Sequence, residues 1–283
     1  MDIFLVQMAI ARGKPELNRA KVQALTSGIL PGKPGNPGKS GLIVLPELFS
    51  TGFLDTSAMK ASEKEAWAAV AAADTLFLSA LARRLGAFVM GTTVELGSAG
   101  LDGNGGFQNL SLLFSPEGTE LSRYQKMHPF SYGGEDRLFT RGNELVTAAI
   151  QEEDGSDSWI VQSTICYDLR FPELYRAGSR QGVHLIVVQA NWPDARQAHW
   201  ETLLRARAIE NQAYVAGVNC VGEQGALRFI GGSTLISPKG ETLAQGGEEE
   251  VLVHGMAELN LCKQWRKQFP ALRDRRSEDI FGA

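Results

Sequence analysis

The sequence predicts an α/β fold with a mixed sheet system, and three observations carry that prediction. Short apolar runs of strand length alternate with longer stretches at helical spacing. Two breaker-rich turns, Ser115-Pro116-Glu117-Gly118 and Ser237-Pro238-Lys239-Gly240, interrupt strand-like sequence, so part of the sheet is antiparallel. No internal repeat and no clear boundary divides the 283 residues, so residues 1-283 read as one domain.

In chain order, Ile3–Met8 is an apolar run fit for a strand. Pro15–Gly28 reads as a helix, with Leu17, Ala20, Ala24 and Leu25 near helical spacing. Residues 31–41 hold so many Pro and Gly that they form a surface loop. The chain before that loop is too short for a domain of its own. Leu42–Leu45 is a buried-strand run that stops at Pro46-Glu47, and Ala-rich residues from about Ser57 to Leu85 favour one or two helices. Ala87–Val94, Gln108–Phe114 and Thr119–Tyr124 read as strands, the last two joined by the first hairpin turn. A polar loop runs from Lys126 to Gly142, and Ser158–Ile165 is the next strand. A helix with proline in its first turn spans Pro172 to about Gln181. His184–Gln189 is a strand, and Gln197–Gln212 is a helix with Trp200, Leu203, Leu204 and Ile209 on one face. Tyr214–Val221, Gly232–Ile236 and Val251–Glu258 complete the strands.

Composition excludes several classes. With 43% hydrophobic and 21% charged residues, 31 Gly and 11 Pro, the chain is neither disordered, collagenous nor coiled-coil. A net charge of −4 gives no reason to expect nucleic acid or an acidic membrane as partner. The cluster Arg273, Arg275 and Arg276 is diluted by Asp274, Glu278 and Asp279 and reads as a solvated tail. Three widely spaced cysteines argue against a disulfide framework and for a reducing compartment. No histidine stands at zinc-finger spacing from a Cys pair, so no metal site is expected. The N-terminus lacks the basic and apolar regions of a signal peptide, and no apolar run is long enough to span a membrane. The expected location is the cytoplasm.

Three reactive residues close three strand-like runs. Leu42-Ile43-Val44-Leu45-Pro46 ends at Glu47, Leu121-Ser122-Arg123-Tyr124-Gln125 at Lys126, and Trp159–Ile165 at Cys166. Open α/β folds bind ligands beyond the carboxyl ends of strands, so a carboxylate, an ammonium and a thiol can converge in one pocket. Cys166 also precedes a helix start, where backbone N–H groups favour a thiolate and can serve an oxyanion. Each residue alone has a bland reading: an inert buried thiol, a helix-start acid, a surface charge.

The wording of the motifs narrows this. Leu45-Pro46-Glu47-Leu48-Phe49, Tyr124-Gln125-Lys126-Met127-His128 and Ile165-Cys166-Tyr167-Asp168-Leu169-Arg170-Phe171-Pro172-Glu173 resemble, in order, the three signatures of the nitrilase superfamily. Asn191-Trp192-Pro193 and Arg205–Gln212 are similar to its carbon–nitrogen hydrolase branch, near the omega-amidases. The resemblance implies a four-layer αββα sandwich and a homodimer of two sandwiches packed face to face. It implies Cys166 as nucleophile, Glu47 as general base and acid, and Lys126 with the Tyr167 N–H as oxyanion holder. Glu135 matches the second glutamate, which positions lysine and substrate. No cofactor is implied.

Arg170 occupies the position that contacts a substrate carboxylate in related amidases; an ion pair with Glu173 or Asp168 is the competing reading. If it binds a carboxylate, the substrate is a dicarboxylic-acid monoamide such as 2-oxoglutaramate or 2-oxosuccinamate. Phe130, Tyr132 and Trp192 sit in loops that either wall the pocket or pack elsewhere. His128 and His199 are not at positions the family uses for its base. Cys220 stands after Val218-Asn219, where close relatives often carry Arg. The rivals are an N-carbamoyl amidase or nitrilase of the same superfamily, a silent scaffold, and a redox thiol protein.

Overall fold

Leu42-Ile43-Val44-Leu45 and Leu185-Ile186-Val187-Val188 are apolar at every position because each strand is buried on both faces. The computed structural model describes residues 1–29, 41–53, 61–97, 106–151, 155 and 157–276. The loop predicted at 31–41 lies outside them except for Gly41, as do the first residues of the Ala-rich stretch.

The strands are β1 (Asp2–Gln7), β2 (Leu42–Val44), β3 (Phe88–Leu96), β4 (Phe107–Phe114), β5 (Glu120–Gln125), β6 (Thr147–Gln151) and β7 (Ser158–Ile165). Then follow β8 (Leu185–Gln189), β9 (Tyr214–Val218), β10 (Val221–Gln224), β11 (Leu227–Ile230), β12 (Thr234–Ile236), β13 (Thr242–Gln245) and β14 (Val251–Met256). One six-stranded sheet has the order β14-β1-β2-β3-β4-β5, and a second has the order β13-β12-β9-β8-β7-β6. Each has a parallel centre, β1-β2-β3 and β7-β8-β9, with antiparallel strands outside it.

Alternation along the strands separates the layers. Leu42, Val44, Leu185 and Val187 join one core between the sheets. Ile43 and Leu45 face outward with Val22 of α1 (Pro15–Leu25) and Leu78, Leu81 and Leu85 of α2 (Ala61–Leu85). Ile186 and Val188 face α3 (Pro172–Arg180) and α4 (Gln197–Asn211) through Tyr175, Trp200 and Leu204. The result is the four-layer αββα sandwich. A fifth helix, α5 (Leu259–Gln268), sends Leu259 and Cys262 to the edge of the central core. No helix among the described residues is long and apolar enough to cross a membrane.

Several boundaries differ from expectation for physical reasons. In α1 it is Asn18 and Val22 that are buried, while Leu17, Ala20 and Ala24 are exposed. Asn18 goes inward because its amide bonds Ala11 on both backbone groups and reaches the Ser50 carbonyl at 2.6 Å. In α4 Ile209 is exposed, and Arg207 is buried with its guanidinium on the Leu169 carbonyl at 2.7 Å. The expected strand Tyr214–Val221 divides into β9 and β10, since β10 leaves the sheet to pair with β11. Strand β6 and helix α5 were not anticipated.

Strands β2, β3 and β5 run in the same direction, so the chain leaves β2 and β5 at the same end of the first sheet. Glu47 follows β2 and Lys126 follows β5 there, while Cys166 follows β7 of the opposite sheet.

Candidate active site

Glu47 is fully buried just past β2, and the next residue, Leu48, takes a left-handed φ of 47°. That bend is held by the Leu48 N–H on Thr92 Oγ1 at 2.5 Å. The Glu47 carboxylate accepts three hydrogen bonds: Asn109 Nδ2 at 2.9 Å, Lys126 Nζ at 2.7 Å and the Asn191 N–H at 3.2 Å. Lys126, 1% exposed, also donates to Glu135 Oε2 at 2.8 Å, and that oxygen accepts the Phe130 N–H at 2.7 Å. One ammonium thus bridges two carboxylates, leaving a buried cluster one negative charge in excess. Asn109 serves it twice, since its backbone carbonyl accepts the Lys126 backbone N–H at 2.9 Å.

Cys166 opens a 3-10 turn, Cys166–Arg170, directly after β7, and has a left-handed φ of 45°. For a residue with a Cβ this conformation costs about 1–2 kcal/mol. Asp168 holds the turn in place, its Oδ2 accepting the Ile165 N–H at 2.9 Å. The thiol is half-buried, 3.8 Å from the Asn191 carbonyl.

Burial, followed by the negative charge of Glu47, pushes the Cys166 thiol well above its ordinary pKa; Lys126 offsets only part of this. Burial likewise raises Glu47, opposed by Lys126 and reinforced by Glu135. Lys126 is held well above its usual value: burial works against its charge, but Glu135 and Glu47 together outweigh it. The resting site is therefore a thiol beside a carboxylate, with an ammonium that stays charged. This suits a proton exchange between thiol and carboxylate at the moment of nucleophilic attack.

The thiol lies on a pocket of about 150 Å³, room for a small molecule only. Phe130, Tyr167 and Trp192 line it, joined by Phe53 and Tyr132. Arg170 reaches it from the far end of the Cys166 turn, its guanidinium 4.8 Å from the Trp192 ring centre and 5.8 Å from that of Tyr167. Asp168 spends both oxygens on other donors, and among the described residues Arg170 makes no ion pair. Its polar neighbour is His199 Nδ1, at 3.3 and 3.4 Å from the two guanidinium nitrogens. His128 stacks on Phe171 at 3.8 Å and bonds Asp168.

Residues 4–267 match the carbon-nitrogen hydrolase family. The chain belongs to that family. It is 36% identical over 271 residues to a 2-oxoglutaramate amidase of Paenarthrobacter nicotinovorans, across 93% of this chain and 85% of that one. An omega-amidase of Escherichia coli is 38% identical over 237 residues, covering 82% and 83%. Among solved structures, a CN-hydrolase superfamily protein of Xanthomonas campestris with an arsenic adduct in its active site aligns with a TM-score of 0.83. That protein is 31% identical, over 99% of this chain and 98% of that one.

All nine candidate site residues singled out from the sequence of this carbon-nitrogen hydrolase, Tyr132 included, lie in the cluster or on the pocket. Trp192 does both jobs considered for it, lining the pocket while 3% exposed against Trp200. Asn109, Asn191 and Arg196 were missed as site residues. Asn191 had a signal, a polar side chain at the end of a buried strand; Asn109 and Arg196 had none. Cys220 is fully buried and accepts from Gln224 Nε2 at 3.6 Å; the same nitrogen lies 3.5 Å from Asn191 Oδ1. The three cysteines are all free thiols.

Proposed function

We propose that this hydrolase is an omega-amidase, cleaving the terminal amide of a small dicarboxylic-acid monoamide such as 2-oxoglutaramate to ammonia and acid. The observation that carries the reading is Arg170, a guanidinium with no carboxylate partner among the described residues, facing the same pocket as Cys166. The relatives named for this activity support it.

In this reading Glu47 takes the thiol proton as Cys166 Sγ attacks the amide carbon. The swap is made easier, though the thiol holds its proton at rest, because neutralising Glu47 removes the charge that most opposes the thiolate after burial. Lys126 Nζ and the Tyr167 N–H hold the oxyanion, in a site where fixed charges act through little water. Collapse breaks the C–N bond, Glu47 returns its proton to the departing nitrogen, and ammonia leaves a thioester on Cys166. Glu47 then deprotonates water, which attacks the thioester; the acid departs and the thiol is restored. Glu135 keeps Lys126 aimed, and Arg170 pairs with the distal carboxylate while Trp192 and Phe130 wall the chain between.

We infer further that residues 1-283 form one domain, supported by β14 pairing with β1. We also infer a cytoplasmic homodimer, supported by the free thiols and the family resemblance.

Ammonia release from 2-oxoglutaramate, compared with N-carbamoyl amino acids and nitriles, tests the substrate class. Mass spectrometry of the quenched reaction tests for an acyl group on Cys166. No release from the ketoacid monoamide sinks the reading, and faster turnover of a nitrile or carbamoyl compound would move the enzyme to another branch.

A further inference from the structure

A second guanidinium faces the pocket. Arg196 ends the 3-10 turn Asp194–Arg196, and its carbonyl accepts Trp192 Nε1 at 2.8 Å, which fixes the turn to the pocket wall. Its guanidinium lies 5.7 Å from the Phe130 ring centre and 5.3 Å from that of Tyr132. It is half-buried and, among the described residues, makes no ion pair. The Phe130 ring meets the Tyr167 ring at 4.9 Å, and Tyr167 in turn carries Arg170. The two cations therefore stand over neighbouring rings of one wall, and aromatic faces attract a cation without neutralising it.

A single carboxylate is satisfied by a single guanidinium in bidentate geometry. Arg170 supplies that one in the omega-amidase reading, on which this inference rests. Arg196 is then left to meet whatever substituent stands on the carbon beside the carboxylate.

We propose that Arg196 is a specificity-determining residue: its guanidinium donates to a carbonyl oxygen on that carbon and repels an ammonium there, so the pocket selects 2-oxo acid monoamides over the matching amino-acid amides. Glutamine has the length and amide of 2-oxoglutaramate and differs at that one carbon. A hydrogen-bond acceptor there is attracted by Arg196, whereas a positive charge meets two guanidiniums at once. Size exclusion cannot make this distinction, because the two molecules are nearly the same shape.

Steady-state ammonia release from 2-oxoglutaramate, glutaramate and glutamine should be measured for the wild type, Arg196→Gln and Arg196→Lys. In Arg196→Gln, KM for 2-oxoglutaramate should rise about tenfold with kcat within about twofold, and KM for glutaramate should rise less. The kcat/KM preference for 2-oxoglutaramate over glutamine should fall about tenfold. Arg196→Lys should keep most of that preference, since repulsion needs the charge rather than the fork. An unchanged preference in Arg196→Gln, or an equal loss in Arg196→Lys, overturns the proposal. A wild type that hydrolyses neither 2-oxoglutaramate nor glutaramate overturns the omega-amidase reading and this inference together. Competitive inhibition of the wild type needs no variant: 2-oxoglutarate should inhibit at least about tenfold more tightly than glutamate, and equal inhibition overturns the role of Arg196 alone.

Discussion

The Tyr124 hydroxyl donates a 2.7 Å hydrogen bond to Asp168 Oδ2, fastening the strand that ends at Lys126 to the turn that begins at Cys166. Asp168 is fully buried, and its two oxygens also take the Ile165 N–H, the His128 N–H at 3.0 Å and His128 Nδ1 at 2.8 Å. Burial and the Asp168 charge push the Tyr124 hydroxyl well above its ordinary pKa, so it remains a donor. The two sheets are thus locked together next to the thiol by one carboxylate.

Asp168→Asn puts an NH2 group where only acceptors fit, leaving a buried donor facing donors. It should cost about 2–4 kcal/mol in urea denaturation and lower kcat at least about tenfold, as Cys166 loses its fixed position. Tyr124→Phe removes the hydroxyl that donates to Asp168 and accepts the Met127 N–H at 3.2 Å but leaves Asp168 its other three donors, so about 1–2 kcal/mol is expected. Equal stability of Asp168→Asn and wild type would refute the brace.

The left-handed backbone at Cys166 makes a prediction that needs no assay of substrate. Alanine keeps the Cβ and its strain, whereas glycine relieves about 1–2 kcal/mol and forfeits about 0.5–1 kcal/mol to the unfolded chain. Cys166→Gly should therefore be more stable than Cys166→Ala by roughly 0.5–1 kcal/mol, the reverse of the usual order. Both should be inactive. Paired denaturation curves in which alanine wins would show that the φ of 45° carries no strain.

The strand end that carries Glu47 was legible because a strand buried on both faces reads as an unbroken apolar run, and a charge at its end stands out. Strand β5 before Lys126 is a mostly exposed edge strand, legible by its hairpin turn instead, and β7 before Cys166 carries Gln162, Ser163 and Thr164 among its apolar residues. The four layers came from the family resemblance, since Leu42 to Leu45 are apolar at every position and nothing in their pattern tells the central core from the helix-covered face. What stayed hidden is polar and distant. Asn18 and Arg207 face inward to hold the Ser50 and Leu169 carbonyls, contacts that cross 32 and 38 residues of sequence. Asn18 thereby turns α1 away from the face that apolar spacing suggests, while α4 keeps Trp200 and Leu204 inward and only Ile209 falls outside. Asn109 lies inside an ordinary strand, and only its meeting with Glu47, 62 residues away, gives it a task. Arg196 looks like any surface arginine until the Trp192 indole pins its turn beside the pocket.

His184 should make the fold acid-sensitive. Burial, with help from the Arg266 and Lys263 charges, lowers its pKa from 6.5 to about 4, and its Nδ1 must stay unprotonated to accept the Ile160 N–H at 3.1 Å. Above pH 6.5 the ring is neutral in both states and its contribution is complete. As the pH falls from 6.5 towards about 4, the unfolded chain gains a proton that the folded chain refuses, and stability is lost. His184→Asn keeps an acceptor for Ile160 and cannot titrate. Its urea midpoint should drop less between pH 7 and pH 5 than that of the wild type; equal drops would locate the acid sensitivity elsewhere.

Glu135→Gln separates charge from geometry in the Lys126 cluster. The amide oxygen can still accept from Lys126 Nζ and the Phe130 N–H, as Oε2 does at 2.8 and 2.7 Å, so the fold should survive. What disappears is a negative charge that raises the pKa of Glu47. Glu47 must be ionised to take the thiol proton, so the acid limb of kcat/KM reports its titration. Removing Glu135's charge lowers that pKa, and the acid limb should move to lower pH. Meanwhile kcat should fall about 10- to 100-fold, because Lys126 loses a charged hydrogen bond worth about 1.5–3 kcal/mol that keeps it aimed at the oxyanion. The two effects have different readouts, and their combination is diagnostic. A drop in kcat with a fixed acid limb would leave Glu135 a purely geometric role, whereas an acid limb moving upward would mean that Glu47 is not the base.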